Sequence, residues 1–254
     1  MKKYKLTTET LQFAGRTLHR IKAVKDFDSI KAGEFGGWIE NEKNLSQDDN
    51  AWIYGDAMVY DDAEVYDNAE VYGYAKVSGN AKVSGNAEVF GNAEVYGYAN
   101  VSGNANVFGI ANVFGNANVF GNAKVYGNAN VFGYAEVYDN AKVYGNANVS
   151  GNAEVSDYAK VSDYAKVYGN AAIKGDAKVH DAVDYIVFKN FWSSGRYFTW
   201  TSSNNKWSVG CFYGTSEELI KKAYADSEKS GREYERVVRY VESILADEKK
   251  EKSN

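Results

Sequence analysis

The stretch Gly85-Asn86-Ala87-Glu88-Val89-Phe90-Gly91-Asn92-Ala93-Glu94-Val95-Tyr96 contains one six-residue pattern twice. The pattern, Gly-Asn-Ala-x-Val-aromatic, divides residues 55–180 into 21 consecutive hexapeptides without an insertion or a deletion. The third position is Ala in all 21 units, and the fifth is Val in 20, with Ile173 as the exception. Such a period means that one structural unit is stacked many times. The two constant apolar positions are therefore predicted to face inward.

The first two positions of each hexapeptide predict its corner. Position 1 is Gly in 16 units and Asp in 5, and position 2 is mostly Asn. Gly and Asn tolerate left-handed backbone, so each pair predicts a sharp turn. Between corners, Ala-x-Val alternates inward and outward residues as a short strand does. Three sides per coil give a parallel β-helix of about 7–8 coils, and no five-residue frame persists for two units.

Less regular segments lie on both sides of the repeat. We assign residues 1–36 to an N-terminal β cap, 37–181 to the parallel β-helix, 182–248 to a C-terminal α+β domain and 249–254 to a charged tail. A stacked repeat needs such caps at its ends. The C-terminal domain is predicted to contain three strands and two helices. The expected elements are strands at 185–188, 197–201 and 207–212, a helix after the Thr215 to Glu218 capping box, and a helix after Gly231. The fold class is therefore mainly β.

Composition narrows the functional classes. The 254 residues have a net charge of -5, no Pro and one Cys. Nucleic-acid and membrane-surface binders usually contain a clustered basic excess, so neither partner is expected. No run approaches the ~20 apolar residues that span a bilayer, and the N-terminus lacks a signal-peptide core. The single Cys211 suits a reducing compartment, and we expect a cytoplasmic protein.

Several motifs resemble those of a known family. They are residues 21–27, residues 31–39, Asn44-Leu45-Ser46-Gln47, Trp52-Ile53-Tyr54 and, near the C-terminus, residues 210–215. The chain resembles uncharacterised bacterial and prophage hexapeptide-repeat proteins, some of which are labelled polymer-forming cytoskeletal proteins. The resemblance implies a left-handed parallel β-helix with a small C-terminal domain. It supplies no functional residues.

The sequence offers few catalytic groups. Acyltransferases on this scaffold use a histidine as general base and build the acyl-donor cleft from inserted loops or neighbouring subunits, but this repeat has no inserted loop. The two histidines, His19 and His180, cannot provide the three histidine ligands of a catalytic zinc site. Cys211 has no nucleophile signature around it. We therefore expect no catalytic residues, no metal, no cofactor and no enzymatic activity.

Outward residues of the repeat are the main interface candidates. The sixth positions of every third unit stack on one face, and one stripe is rich in aromatic residues. It consists of Tyr72, Phe90, Phe108, Tyr126 and Tyr144, followed by Ser162 and His180. Stacked rings stabilise parallel coils by themselves, whereas an exposed apolar stripe often marks an interface. We expect a homo-oligomer, a trimer or a dimer, that acts as a non-catalytic interaction scaffold of phage or prophage origin.

Two other functions stay open at this point. The family resemblance and the acidic first coils suggest a phage inhibitor that binds a host defence protein or sequesters its nucleotide signal. An acyltransferase-like enzyme is the second alternative. In the C-terminal domain, the binding candidates are Arg196, Tyr197, Trp200, Trp207 and Tyr213.

Overall fold

A computed structural model describes the backbone of residues 2–251 and the side chains of residues 2–247. At its N-terminal end, strands Tyr4–Phe13 and Arg16–Ala23 form an antiparallel hairpin. The second strand pairs with Phe35–Ile39, which is parallel to the first strand of the repeat on the same face. The hairpin thus joins the rod by continuing one of its sheets.

The repeat forms a parallel β-solenoid with three faces, which confirms the predicted fold class. Each face stacks seven or eight two-residue strands of the rod, and paired residues are 18 positions apart. Face 1 contains Met58–Val59, Lys76–Val77, Glu94–Val95, Asn112–Val113, Asn130–Val131, Asn148–Val149 and Lys166–Val167. Face 2 contains Trp52–Ile53, Glu70–Val71, Glu88–Val89, Asn106–Val107, Lys124–Val125, Lys142–Val143, Lys160–Val161 and Lys178–Val179. Face 3 contains Glu64–Val65, Lys82–Val83, Asn100–Val101, Asn118–Val119, Glu136–Val137, Glu154–Val155 and Ala172–Ile173.

The interior of the rod consists of the two apolar columns that the repeat predicts. Every Ala at position 3 and every Val at position 5 is at most 1% exposed, and so is Ile173. Burial of these methyl groups supplies the main favourable free energy, because apolar surface removed from water contributes about 25 cal/mol per Å². The small Ala next to each corner lets the chain turn without leaving a void.

The corners use left-handed backbone, as the Gly-Asn pairs predict. Gly151 and Gly169 both have φ +71°, and the Asp residues at position 1, such as Asp139 at φ +56°, also lie in this region. Successive corners stack closely, since Asn152 N donates to the Gly169 carbonyl at 2.7 Å. A corner residue therefore needs both a positive φ and little bulk toward the next coil.

The C-terminal region contains four strands, so the expectation of three was wrong. The strands are Tyr185–Lys189, Tyr197–Thr201, Lys206–Val209 and Phe212–Gly214, in one antiparallel sheet. The segment expected to be one strand at 207–212 is broken by a turn at Gly210, which has φ +57°. The alternation of Trp207, Val209 and Cys211 is typical of one continuous strand and concealed that turn.

Two helices, Ser216–Asp226 and Glu228–Glu251, pack on this sheet. The second helix begins before Gly231, not after it as the sequence predicted. Its first turn includes the hydrogen bond from the Gly231 N–H to the Ser227 carbonyl at 2.9 Å. Within the described residues, neither helix is long and apolar enough to cross a membrane. Residues 249–251 of the expected tail belong to the second helix, and 252–254 lie outside the described residues.

The C-terminal sheet covers the last coil of the rod. Ala172 N donates to Thr199 Oγ1 at 2.9 Å, and Lys178 N donates to Ser203 Oγ at 2.7 Å. These bonds satisfy amide groups that have no further coil to pair with. Covering an open sheet edge in this way prevents unwanted strand pairing. Two 3-10 turns, Glu42–Asn44 and Ala182–Asp184, lie at the two ends of the regular repeat.

A buried lysine fastens the N-terminal strand to the first coil. Lys3 is 1% exposed, and its ammonium donates to the carbonyls of Asp49 at 2.7 Å and Ala51 at 2.8 Å. Burial lowers the pKa of Lys3 to about 8, although the nearby Asp49 opposes this shift. The lysine therefore joins two segments that are far apart in sequence, at the cost of desolvating a charge.

The corner geometry predicts a large difference between two glycine substitutions. Gly151→Ala and Gly169→Ala impose the same left-handed strain, roughly 1–2 kcal/mol each. At Gly151 the new Cβ would also lie 2.9 Å from Gly169 N, whereas at Gly169 nothing lies within 4 Å. Gly151→Ala should therefore lower the free energy of unfolding by a further 1–3 kcal/mol or so. Urea denaturation checks this, and equal losses in the two variants would contradict the stacking of the corners.

Lys3 predicts a pH dependence of stability. The folded state lowers the pKa of Lys3 from 10.5 to about 8, so the unfolded chain binds the proton more tightly between these values. The contribution of Lys3 to the free energy of unfolding should therefore rise with pH across that window. In urea titrations from about pH 7 to pH 10, wild type should gain stability relative to Lys3→Met. The exposed Lys5→Met variant is the control and should show no such pH-dependent difference.

Candidate functional site

The outward side chains of face 2 form two parallel columns. Strands pair in register at 18-residue steps, so the residues before and after each inward Val stack on their counterparts in the next coil. The charged column consists of Glu70, Glu88, Asn106, Lys124, Lys142, Lys160 and Lys178. The aromatic ladder consists of Tyr72, Phe90, Phe108, Tyr126 and Tyr144. We call the two columns together the ladder face.

The rings of the aromatic ladder are stacked in parallel. Their centroids are 4.7 to 5.0 Å apart and their planes differ by 1° to 4°. Each ring is half-buried by its neighbours, so the stripe is less open than its sequence suggested. Shorter ladders occur on the other faces, including Tyr96, Phe114 and Phe132. Stacking therefore stabilises the rod on every face, and a role of this stripe as an interface stays a prediction.

The first ring of the ladder is linked to the charged column. The Tyr72 hydroxyl donates to Glu88 Oε2 at 2.6 Å. Burial, together with this bond to a carboxylate, raises the pKa of Tyr72 far above its ordinary value. Tyr54 bonds Glu70 in the same way at 3.0 Å. Both acidic side chains are thus held in place by hydrogen bonds from tyrosine hydroxyls.

The charged column changes sign along the rod. Glu70 and Glu88 lie toward the N-terminal end, Asn106 is in the middle, and four lysines follow. Among the described residues, none of these six charged side chains forms an ion pair within the chain. On the other faces, in contrast, Lys76 pairs with Glu94 at 2.8 Å and Lys82 with Glu64 at 3.3 Å. Within the part of the chain that the structure describes, the charges of the ladder face are therefore sorted by sign and form no ion pairs.

The C-terminal end of the ladder contains a serine, a histidine and an aspartate in contact. His180 Nδ1 lies 2.8 Å from Ser162 Oγ and 2.9 Å from Asp163 Oδ2. Ser162 is buried, whereas half of the His180 side chain is exposed. His180 N also donates to Asp184 Oδ2 at 2.6 Å, which fixes its backbone. The cluster thus contains an oriented, half-exposed imidazole on the last coil of the rod.

Sequence reasoning treated His180 as an ordinary surface residue and missed this cluster. The signal was present, because Ser162 and His180 are 18 residues apart and so must stack. Asp163 stands at the corner directly after Ser162. The contact joins two residues of one outward column, Ser162 and His180, with the corner residue Asp163.

The five binding candidates of the C-terminal domain lie in different environments. Trp200 and Trp207 are buried, and their indole N–H groups donate to Asn205 Oδ1 at 2.9 Å and Ser216 Oγ at 3.1 Å. These two rings belong to the domain core and cannot reach a ligand. Tyr213 lies against the corner at Gly175 and accepts a hydrogen bond from Asn204 Nδ2 at 2.9 Å. This contact with Gly175 holds the C-terminal sheet against the rod.

The other two candidates, Arg196 and Tyr197, line a cleft between the rod and the sheet. The cleft has a volume of about 280 Å³. Across it, Lys174 forms an ion pair with Glu154 at 3.2 Å. The Arg196 guanidinium has no ionic partner among the residues that the structure describes. The cleft is also lined by Asn152, Asn170 and Thr199.

A loop after the first C-terminal strand displays two aromatic residues that the sequence did not single out. Phe191 and Trp192 are 72% and 63% exposed. Asn190 is buried below them, and its Oδ1 accepts the N–H groups of Trp192 at 2.9 Å and Ser193 at 3.1 Å. The residues that follow the pair, Ser193-Ser194-Gly195, are typical of an ordinary turn, so nothing in the sequence predicted an exposed aromatic pair.

Comparison with known proteins adds one similarity. No family model matches the chain. A protein of Escherichia coli (strain K12) named "Uncharacterized acetyltransferase YdcK" is 39% identical to it over 62 residues. This chain is similar to a named acetyltransferase. The match covers 21% of this chain and 19% of that protein, so the chain spans about a fifth of the relative that it matches.

The similarity contradicts the expectation that the chain is not an enzyme. That expectation rested on the lack of an inserted loop and on the small number of histidines. One oriented histidine is enough for a general base, and the structure contains such a residue at position 180. In the described part of the chain, no three His, Cys, Asp or Glu side chains lie together as ligands for a metal ion.

Ring stacking in the aromatic ladder predicts unequal effects of two substitutions. Phe108 stacks on two rings, at 4.8 Å each, whereas Phe132 stacks on one ring at 4.9 Å. Each stacked pair contributes about 0.5–1.5 kcal/mol beyond area burial. Phe108→Ser should therefore lower the free energy of unfolding about 0.5–1.5 kcal/mol more than Phe132→Ser. Serine already occupies this position in other coils, and equal losses in urea denaturation would refute the stacking contribution.

Proposed function

We propose that the chain transfers an acyl group from a thioester donor and that His180 is the general base. The observation that supports this most directly is the contact between the half-exposed His180 ring and Asp163 at 2.9 Å. A general base needs an orienting partner on one side and an open path to the acceptor on the other. His180 has both. The similarity to the E. coli acetyltransferase supports the same reaction class.

The contacts of the imidazole define its tautomer. The Asp163 carboxylate only accepts hydrogen bonds, so Nδ1 of His180 donates to it. The Ser162 hydroxyl donates to the same Asp163 oxygen at 3.2 Å. Nε2 of His180 is then the unprotonated nitrogen, and it has no hydrogen-bond partner among the described residues. This nitrogen is the one that can take up a proton.

The reaction follows from this arrangement. As the hydroxyl or amine of the acceptor attacks the thioester carbonyl, Nε2 removes its proton. The carbon–sulfur bond then breaks, and the departing thiolate takes the proton from the imidazolium to leave as a thiol. Asp163 stabilises the imidazolium between these two steps by its negative charge. Lys178 is two residues before His180, on the same face, and it supplies positive charge for a phosphate-bearing donor.

A second candidate is the predicted interaction scaffold of a homo-oligomer. It is favoured by the uncompensated charges of the ladder face, and it is compatible with acyl transfer because oligomers of such rods can form a cleft between subunits. Phage origin and inhibition of a host defence system stay predictions. A cytoplasmic location fits the proposal, because the one cysteine, Cys211, is exposed and unpaired.

A matched pair of histidine substitutions tests the proposal. Purified chain is incubated with acetyl-coenzyme A and a panel of small amines and alcohols, and release of free thiol is measured. His180→Gln should lower kcat/KM roughly 10²- to 10⁴-fold, the usual contribution of a general base. His19→Gln is the control, because His19 lies on the N-terminal hairpin with Thr7 O as its neighbour. Asp163→Asn should lower the rate without abolishing it.

Two results would contradict the proposal. One is a wild-type chain that releases no thiol above the uncatalysed rate with any acceptor in the panel. The other is a His180→Gln variant that is as active as His19→Gln. Circular dichroism of each variant shows whether a lost rate reflects chemistry or unfolding.

A further inference from the structure

The sorted charges of the ladder face are not explained by folding. Lys124, Lys142, Lys160 and Lys178 are paired with one another in register, one coil apart. Like charges on neighbouring strands destabilise a sheet. On the other faces Lys and Glu are placed together, as in the Lys76–Glu94 pair. Where Glu136 neighbours Glu154 in register, Lys174 forms an ion pair with Glu154. A partner that supplies the opposite charge would remove the repulsion.

The acidic end of the same face restricts what that partner is. Glu70 and Glu88 would repel a polyanion that followed the column along the rod, and the lysines would repel a polycation. A suitable partner is positive opposite Glu70 and Glu88 and negative opposite the lysines. The ladder face itself, turned end over end, has this distribution of charge.

We propose that a second copy of the chain packs on the ladder face in antiparallel orientation, forming a twofold-symmetric dimer. The twofold axis lies in the interface, perpendicular to the rod, between the coils of Asn106 and Lys124. This register places Glu70 opposite the partner's Lys160 and Glu88 opposite the partner's Lys142. Asn106 then meets the partner's Lys124. An isologous contact of this kind is self-complementary and closed.

The aromatic ladder fits the same register without adjustment. It continues in Ser162, which has no ring, so its five rings are displaced toward the N-terminal end of the face. Turned end over end, Phe90 meets the partner's Tyr144 and Phe108 meets the partner's Tyr126. Tyr72 meets the small Ser162 of the partner subunit. Aromatic contacts thus lie in the centre, with ion pairs beside them, as in the apolar core and polar rim of known interfaces.

Other arrangements of two rods are less favourable. A parallel packing about an axis along the rod places coils of equal number at equal height and sets each charged column against the partner's aromatic ladder, so that no lysine meets a glutamate. The antiparallel contact covers six coils, roughly 25–29 Å of rod at ~4.8 Å per coil. A strip of this length is at the small end of specific interfaces, so the dimer should be weak and salt-dependent. His180 lies one coil beyond the paired coils, and the inference does not depend on acyl transfer.

Charge reversal tests the dimer by analytical ultracentrifugation at low and high salt. Glu70→Lys with Glu88→Lys, and separately Lys142→Glu with Lys160→Glu, should each weaken self-association at low salt by roughly tenfold or more. Mixed in equal amounts, the two variants should form a 1:1 heterodimer, because one face is then basic and the other acidic. The variant with all four reversals should associate as wild type does. Asp56→Lys with Glu136→Lys is the control for the first variant, since it raises the net charge by the same amount outside the charged column.

Disulfide trapping tests the orientation in a Cys211→Ser background. Asn106→Cys mixed with Lys124→Cys should cross-link between chains faster than either variant alone, because an antiparallel dimer places these positions opposite each other. Faster cross-linking of each variant with itself would show parallel packing and overturn the proposal. A wild type that is monomeric at low salt up to about 1 mM would also overturn it, and so would a ladder face that binds single-stranded DNA but not a second copy.

Discussion

The stacking of coils in a strict 18-residue register is the constraint on which the rest of the structure depends. It is set at the corners, where the carbonyl of a left-handed Gly or Asp accepts a hydrogen bond from a backbone N–H of the preceding coil. An example is the bond from Asn152 N to the Gly169 carbonyl. A side chain at such a glycine would reach the backbone of the next coil, so the spacing leaves no freedom. Once this register holds, every position of the hexapeptide becomes a column. Inward columns bury Ala and Val, and outward columns line up whatever residue the sequence places there.

The outward columns are therefore where this chain differs from a plain scaffold. Folding requires only the corner residues and the two inward columns, and the outward residues can vary with little effect on the interior. On two faces they form ion pairs between neighbouring coils, which contribute modestly to stability. On face 2 they form the aromatic ladder, the charged column without ion pairs and the His180 cluster. The residues of the proposed active site and of the proposed dimer contact thus lie on the same face of the rod.

The rod could be predicted from sequence because its periodicity is exact enough to assign every residue a column. The number of coils, the inward positions and the stacked rings all followed from that period. The C-terminal region has no period, and there sequence reasoning merged two strands into one and offered Trp200 and Trp207 as binding residues. Aromatic residues in a short strand are as suitable for a core as for a surface, and only the packing of the helices showed that both are buried. The His180 cluster was missed since it joins a column with a corner.

The most direct test of the register is disulfide formation between outward positions of face 1 in a Cys211→Ser background. Asn112 and Asn130 are paired in neighbouring strands, a separation that suits a disulfide bond. Asn112→Cys with Asn130→Cys should oxidise within the monomer, as measured by mass spectrometry after thiol alkylation. Asn112→Cys with Asn118→Cys, six residues apart but on different faces, should stay reduced. Oxidation of the second pair and not the first would contradict the 18-residue coil and every column derived from it.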